Sequence, residues 1–139
     1  MQVPDTNKKT GGRRRETLSI RTVAMPADAN ANGDIFGGWV LGQMDIAGGI
    51  VASERCRGRC ATVAVDAMTF HLPVYVDDVL AAHAEVARVG RSSMTIQVEA
   101  WATRRMSGEQ LKVTEGTFAY VAIDENRRPG PVDPDRVEI

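Results

Sequence analysis

The second half of the chain alternates apolar and polar residues with a period of two. Residues 61–70 (ATVAVDAMTF), 79–89 (VLAAHAEVARV), 93–105 (SMTIQVEAWATRR) and 111–123 (LKVTEGTFAYVAI) each carry this signature of a β-strand. It is clearest in the third, where Met94, Ile96, Val98, Ala100 and Ala102 share one face and Thr95, Gln97, Glu99, Trp101 and Thr103 the other. Gly90 to Ser92 and Ser107 to Gln110 supply turn residues between neighbouring strands. Upstream, ETLSIRTVAMP is rich in β-branched residues and stops at Pro26, which predicts one further strand and a turn.

Between them, from Gly37 to about Arg55, GGWVLGQMDIAGGIVASER is apolar nearly all round, as a buried helix is. Gln43, Asp45 and the glycines interrupt it too often for a membrane span. At 3.6 residues per turn, Gly38, Gly42, Asp45, Gly49 and Ala52 fall on one stripe and Leu41, Met44, Gly48 and Val51 on the next. A glycine inside a helix costs about 1 kcal/mol relative to alanine, so several imply close approach by another backbone or a ligand. One strand, one long helix and four strands leave no helices to cover both faces of a parallel sheet. The expected fold class is therefore α+β, an antiparallel β-sheet wrapped around one long central helix.

The chain has 139 residues, enough for one domain, and a domain of that size buries about two thirds of its unfolded surface. Residues 1–15 carry five basic side chains and almost nothing apolar, and residues 125–139 are polar and proline-rich, so both are expected as loosely ordered tails around a domain at 16–124. A formal charge of -1 provides no broad field for nucleic acid or an anionic membrane, which leaves a small molecule or another copy of the chain as partner. Two cysteines, Cys56 and Cys60, and no secretion signal point to a reducing cytoplasm. Gly58 between them is expected to end the helix and leave two small buried thiols, with neither a disulfide nor a metal pair.

DANANGDIFGGW, residues 28–39, begins like a calcium loop, but Phe36 and Trp39 occupy its ninth and twelfth positions, where oxygen ligands are needed. Asp45 is the strongest chemical candidate, because a carboxylate in an apolar helix must be hydrogen-bonded, paired or open to a pocket, and a general base fits the last case. A helix starting at Gly37 and Gly38 presents unpaired N–H groups with no side chains in the way, suited to an oxyanion. Asp45 lies about two turns further on, some 10–12 Å, so one helix is not expected to supply both groups to one reacting centre. No G-x-S-x-G, Walker or Rossmann pattern occurs, and His71 and His83 stand alone, as structural histidines do.

PADANANGDIFGGWVLGQMDIAGGIVA, followed by ATVAVDAMTFHLPVYVDDVL and RVGRSSMTIQVEAW, resembles the hotdog-fold acyl-CoA thioesterases, especially their YciA-like group and the brain-type acyl-CoA hydrolases. The resemblance runs from about Leu18 to Asp124. It implies sheets joined in a dimer, active sites at the dimer interface, and often a hexamer built as a trimer of dimers. It maps the catalytic carboxylate onto Asp45 and a loop asparagine onto Asn30, makes the calcium-like stretch a substrate-facing loop, and requires no cofactor, coenzyme A being part of the substrate.

The reaction so implied is acyl-CoA hydrolysis, with Asp45 as general base or nucleophile, the N–H of Gly37 or Gly38 on the thioester carbonyl, and Asn30 orienting water or substrate. Arg57, Arg59, Arg91, Ser92 and Ser93 are the candidates for CoA phosphates. Met44, Met68, Phe36, Phe70 and Trp39 are candidates for the acyl pocket. A non-catalytic acyl-CoA sensor is the alternative, since the fold alone does not establish hydrolysis.

Overall fold

The computed structural model describes residues 18–134. Strand β1 (Leu18–Val23) leads through a short 3-10 turn at Pro26–Asp28 and a loop to helix α1 (Gly37–Cys56), followed by β2 (Arg59–Phe70), β3 (Val79–Val89), β4 (Ser93–Thr103) and β5 (Gln110–Ile123). The five strands form one sheet in the order β1-β3-β4-β5-β2, and every neighbouring pair is antiparallel. β1 and β2 are adjacent in sequence yet occupy opposite edges. Helix α1 makes the crossing: 20 residues span about 30 Å, and five strands about 4.8 Å apart give a sheet that this length can traverse.

The helix lies on one face of the sheet and buries Val40, Met44, Ala47, Gly48 and Ala52. Opposite it, Met94, Ile96, Val98, Ala100 and Ala102 of β4 are fully buried, so the predicted inward face of that strand is the observed one. The other face of β4 departs from its expected polarity. Glu99 and Trp101 are buried there, and their polar atoms are satisfied: Trp101 Nε1 donates to Glu99 Oε1 at 2.9 Å and Lys112 Nζ lies 3.4 Å from Glu99 Oε2. Burial draws the Lys112 pKa down, but Glu115 and Glu99 outweigh it and hold the ammonium above its ordinary value. His83 is also buried and sits across from Glu99 in the β3–β4 ladder.

Two further departures have identifiable causes. The helix does end beside Gly58, but the left-handed residue is Arg57, at φ 55, and the Gly58 N–H closes on Ser53 O. The polar segment after Ile123 is also better anchored, as far as Pro134, than its composition suggests. Asp124 Oδ1 accepts the N–H groups of Asn126 and Arg128, Val132 is buried, and Asp133 forms a two-pronged ion pair with Arg55 at 2.7 and 3.1 Å. Burying one valine is worth about 1.5–3 kcal/mol, enough to hold a short segment whose backbone also pairs with Ala122 and Arg91. Residues 1–15, expected as a basic tail, lie outside the described residues.

Edge strand β2 is irregular. Its register against β5 shifts at two places, and Ala67 has φ 48. Val63 and Val65 are 58% and 44% exposed, and Ile46 and Ile50 of the helix are also open. A single chain thus leaves one side of the helix uncovered, although the sequence reads as apolar all round.

Candidate active site

Asp45 lies in a hollow of about 480 Å³ with Ile46, Gly49, Ile50, Ser53, Glu54, Cys60, Thr62 and Tyr120 on its walls. Its Oδ1 accepts Thr62 Oγ1–H at 2.7 Å and lies 3.1 Å from Tyr120 Oη. Tyr120 Oη also donates to the Asp45 carbonyl oxygen at 2.8 Å. Oδ2 has no partner among the described residues, so one carboxylate oxygen is held and the other is left for a ligand or water. Thr62 and Tyr120 face each other directly across the β2–β5 ladder, which is why two strands deliver their hydroxyls to one point. Burial, then the Asp45 charge, push the Tyr120 hydroxyl well above its ordinary pKa of 10.0, so it stays a donor.

Thr62 and Tyr120 are not among the candidates taken from the sequence. A signal was present: a large aromatic with a polar tip, pointing inward, needs a partner for its hydroxyl, and Gly48 marks a helix position where a ring can enter. A Cβ at Gly48 would collide with the hydroxyl and ring of Tyr120. The close approach implied by the helix glycines is therefore made there by a side chain.

The helix start is organised separately. Phe36 is the N-cap and makes no side-chain cap bond, so the N–H groups of Gly37 and Gly38 are not satisfied by it, and a Cβ at Gly38 would meet open space. Gly37 borders a hollow of about 340 Å³ with Asn30, Asp34, Ile35, Val40, Phe70, His71, Leu72, Pro73 and Val74. Asn30 Oδ1 accepts Asn32 N–H at 2.8 Å and Asp34 N–H at 3.2 Å, and Asp28 Oδ2 accepts Met25 N–H at 3.0 Å. These side-chain oxygens organise the loop itself, and for Asn30 the part available to a ligand is the Nδ2 donor pair. No residue lines both this hollow and that of Asp45. The separation expected along one helix is thus present, and one chain does not bring Asn30, Gly37 and Gly38 onto Asp45.

The five CoA-phosphate candidates gather at the other end of the helix. Arg57 lines a third hollow of about 640 Å³, with Glu54, Arg55, Cys56, Val132, Asp133 and Pro134. Glu54 borders both this hollow and that of Asp45. Arg59 opens β2 opposite Ile123, Arg91 O accepts Val132 N–H, Ser92 O accepts Ala122 N–H, and Ser93 pairs with Val121. The Arg55 guanidinium beside Asp133 is held above its usual pKa, and burial pushes the Cys56 thiol up as well. Both cysteines are free, and Cys60 Sγ lies 3.5 Å from Ser53 Oγ. Among the acyl-pocket candidates, Phe70 packs on Gly37 and Met68 on Gly116, whereas Met44, on the helix itself, is fully buried in the core. No described helix is long and apolar enough to cross a membrane.

A helix seated on a five-stranded antiparallel sheet is the hotdog arrangement, and here the helix carries a hydroxyl-held aspartate. Residues 32–109 match the Thioesterase superfamily, and the chain belongs to that family. It is 49% identical over 115 residues to the acyl-CoA thioester hydrolase YciA of Escherichia coli (strain K12), covering 81% of this chain and 87% of that protein. It is 47% identical over 123 residues to an uncharacterized acyl-CoA thioester hydrolase of Haemophilus influenzae, covering 86% and 80%. Among solved structures it is similar to the hexameric thioesterase y2039 from Yersinia pestis, with TM-score 0.79, 51% identity, and 82% and 93% of the two chains covered. HI0827, a hexameric broad specificity acyl-coenzyme A thioesterase, matches with TM-score 0.80 and 47% identity over 84% and 80% of the chains.

Proposed function

We propose that this protein hydrolyses the thioester of acyl-coenzyme A to a fatty acid and free coenzyme A, with Asp45 as general base in a site built by two copies of the chain. The observation that carries the reading is the Asp45 carboxylate, whose Oδ1 is held by Thr62 and lies beside the Tyr120 hydroxyl while Oδ2 faces no protein partner among the described residues. Oδ2 takes a proton from water as the water oxygen attacks the thioester carbonyl carbon. The carbonyl oxygen becomes an oxyanion that the N–H groups of Gly37 and Gly38 of a second copy stabilise, with Asn30 Nδ2 orienting water or substrate. Collapse breaks the C–S bond, and the thiolate recovers the proton held on Asp45.

Two features support assembly. Residues Gly37 and Asp45 of one helix are about 12 Å apart along its axis, too far to act on one carbonyl. The exposed apolar edge of β2 and the open Ile46 and Ile50 offer the surface that a second copy would cover, and the similar solved thioesterases are hexamers. Arg57 lines a hollow that shares Glu54 with that of Asp45, and the backbones of Arg59, Arg91, Ser92 and Ser93 lie along the neighbouring strand ends, which supports these five as the candidates to meet CoA phosphates.

Thiol release from acyl-CoAs of increasing chain length tests the reading, with wild type and Asp45→Asn side by side. The expected result is turnover by the wild type and a loss of about a hundredfold or more in the variant, the scale of a general base. Equal turnover in Asp45→Asn would place the base elsewhere. Acyl-CoA binding without turnover on any chain would make the protein a sensor. In a single turnover in 18O-labelled water, label in the Asp45 carboxylate would identify direct attack with the mixed anhydride opened at the Asp45 carbonyl, whereas general-base catalysis places label only in the fatty acid.

A further inference from the structure

Beyond the carboxylate itself, the ring of Tyr120 is placed unusually for a core aromatic. It is 1% exposed, its ring stacks on Phe118 with centroids 6.4 Å apart, and its tip passes beneath the helix at Gly48. There the hydroxyl meets two oxygens of one residue, the Asp45 carbonyl at 2.8 Å and Asp45 Oδ1 at 3.1 Å. A mid-helix carbonyl already accepts the N–H four residues on, so this contact is not needed to satisfy the backbone. Moreover, Thr62 already supplies Oδ1 with a donor at 2.7 Å. The hydroxyl instead ties the backbone and the side chain of Asp45 to strand β5.

We infer that Tyr120 is a positioning residue for the reaction: its hydroxyl fixes the rotamer of Asp45 and stabilises the ionised carboxylate, while Gly48 supplies the gap through which it reaches. This rests on the assignment of Asp45 as the base. Buried hydroxyls hold a carboxylate within the narrow geometry that a general base needs, and do so without adding charge. The other titratable groups lining the Asp45 hollow are Cys60 from β2 and Glu54 from the helix itself, and the hydroxyls of Thr62 and Ser53 complete its polar lining. Of these groups, Tyr120 alone contacts both the main chain and the side chain of Asp45.

The test compares Tyr120→Phe with wild type and Asp45→Asn. Tyr120→Phe keeps the ring that fills the core and removes one oxygen. The expected result is a fall in kcat of about tenfold, KM within about twofold of wild type, and an acid limb of the kcat/KM profile moved to higher pH, because the anion has lost a donor. A merely structural tyrosine would leave that limb in place. If Asp45→Asn is inactive while Tyr120→Phe matches wild type in both kcat and pH profile, the inference fails and the base assignment stands. If Asp45→Asn is active, the base assignment itself fails.

A wild-type measurement guards against a misfolded variant. With both tyrosines replaced by 3-fluorotyrosine, Tyr120 is expected to shift its fluorine resonance with the same midpoint as the acid limb, while Tyr75 provides the control. A Tyr120 resonance that stays flat through that midpoint overturns the inference.

Discussion

Gly48→Ala offers a quantitative test of how the helix sits on the sheet. Taken alone, alanine for glycine inside a helix should stabilise by about 1 kcal/mol. At Gly42 a Cβ meets nothing within 4 Å, and that full gain is expected for the fold of a single chain. At Gly48 the new Cβ would overlap Tyr120 Oη and crowd Cζ and Cε1 at 3.0 and 3.1 Å, and the ring is fully enclosed. Overpacking of this kind costs about 1–3 kcal/mol, and a displaced hydroxyl forfeits about 1 kcal/mol more for its hydrogen bond to Asp45. Set against the propensity gain, the net loss is about 1–3 kcal/mol. The two variants should therefore differ by about 2–4 kcal/mol although the substitution and the helix are the same. Urea unfolding at matched protein concentration, with the m-value checked for constancy, measures this directly. A Gly48→Ala protein as stable as Gly42→Ala would refute the placement of Tyr120 beneath the helix.

Alkaline pH provides a second probe of the same tyrosine. Its folded pKa lies above the unfolded value of 10.0, so folded and unfolded chains are both protonated below pH 10. Above it only the unfolded chain loses the proton, and stability falls by about 1.4 kcal/mol per pH unit until the folded hydroxyl also ionises. Tyr120→Phe should lack this component of alkaline unfolding. Asp78→Asn should cost about 3–5 kcal/mol in denaturant unfolding, because Asp78 is 2% exposed and accepts Tyr75 N–H at 2.8 Å while pairing with Arg104, which the change would leave charged and largely enclosed. Charging the exposed edge with Val63→Lys and Val65→Lys together should leave the chain folded by circular dichroism but lower its mass in sedimentation and reduce thiol release; an unchanged mass would mean that copies meet elsewhere.

Much of this protein was legible as a linear pattern. Period-two alternation located β3 and the inward face of β4, and the uninterrupted apolar run from Gly37 located the helix, because both signals depend only on local geometry and on which side meets water. The DANANGDIFGGW block with Asp45 pointed to the family, and Asp45 stands out by itself as a carboxylate among apolar neighbours. What the pattern did not contain was any relation that spans the chain. Thr62 and Tyr120 are 58 positions apart and come face to face only because the helix carries the chain from one edge of the sheet to the other, pairing β2 with β5. Their hydroxyls then converge on one carboxylate.

The same reason explains the segment after Ile123 and the outer face of β4. Polar composition suggested a loose tail and a solvated face, but Val132 is buried and bonded to the Arg91 carbonyl, and Glu99 is buried against Trp101 on its own strand and Lys112 on the neighbouring one. Hydrophobic period and turn residues determine which elements form. Which side chains meet is decided by the order of strands in the sheet, since a hydrogen bond requires a separation of about 3 Å that only tertiary packing sets.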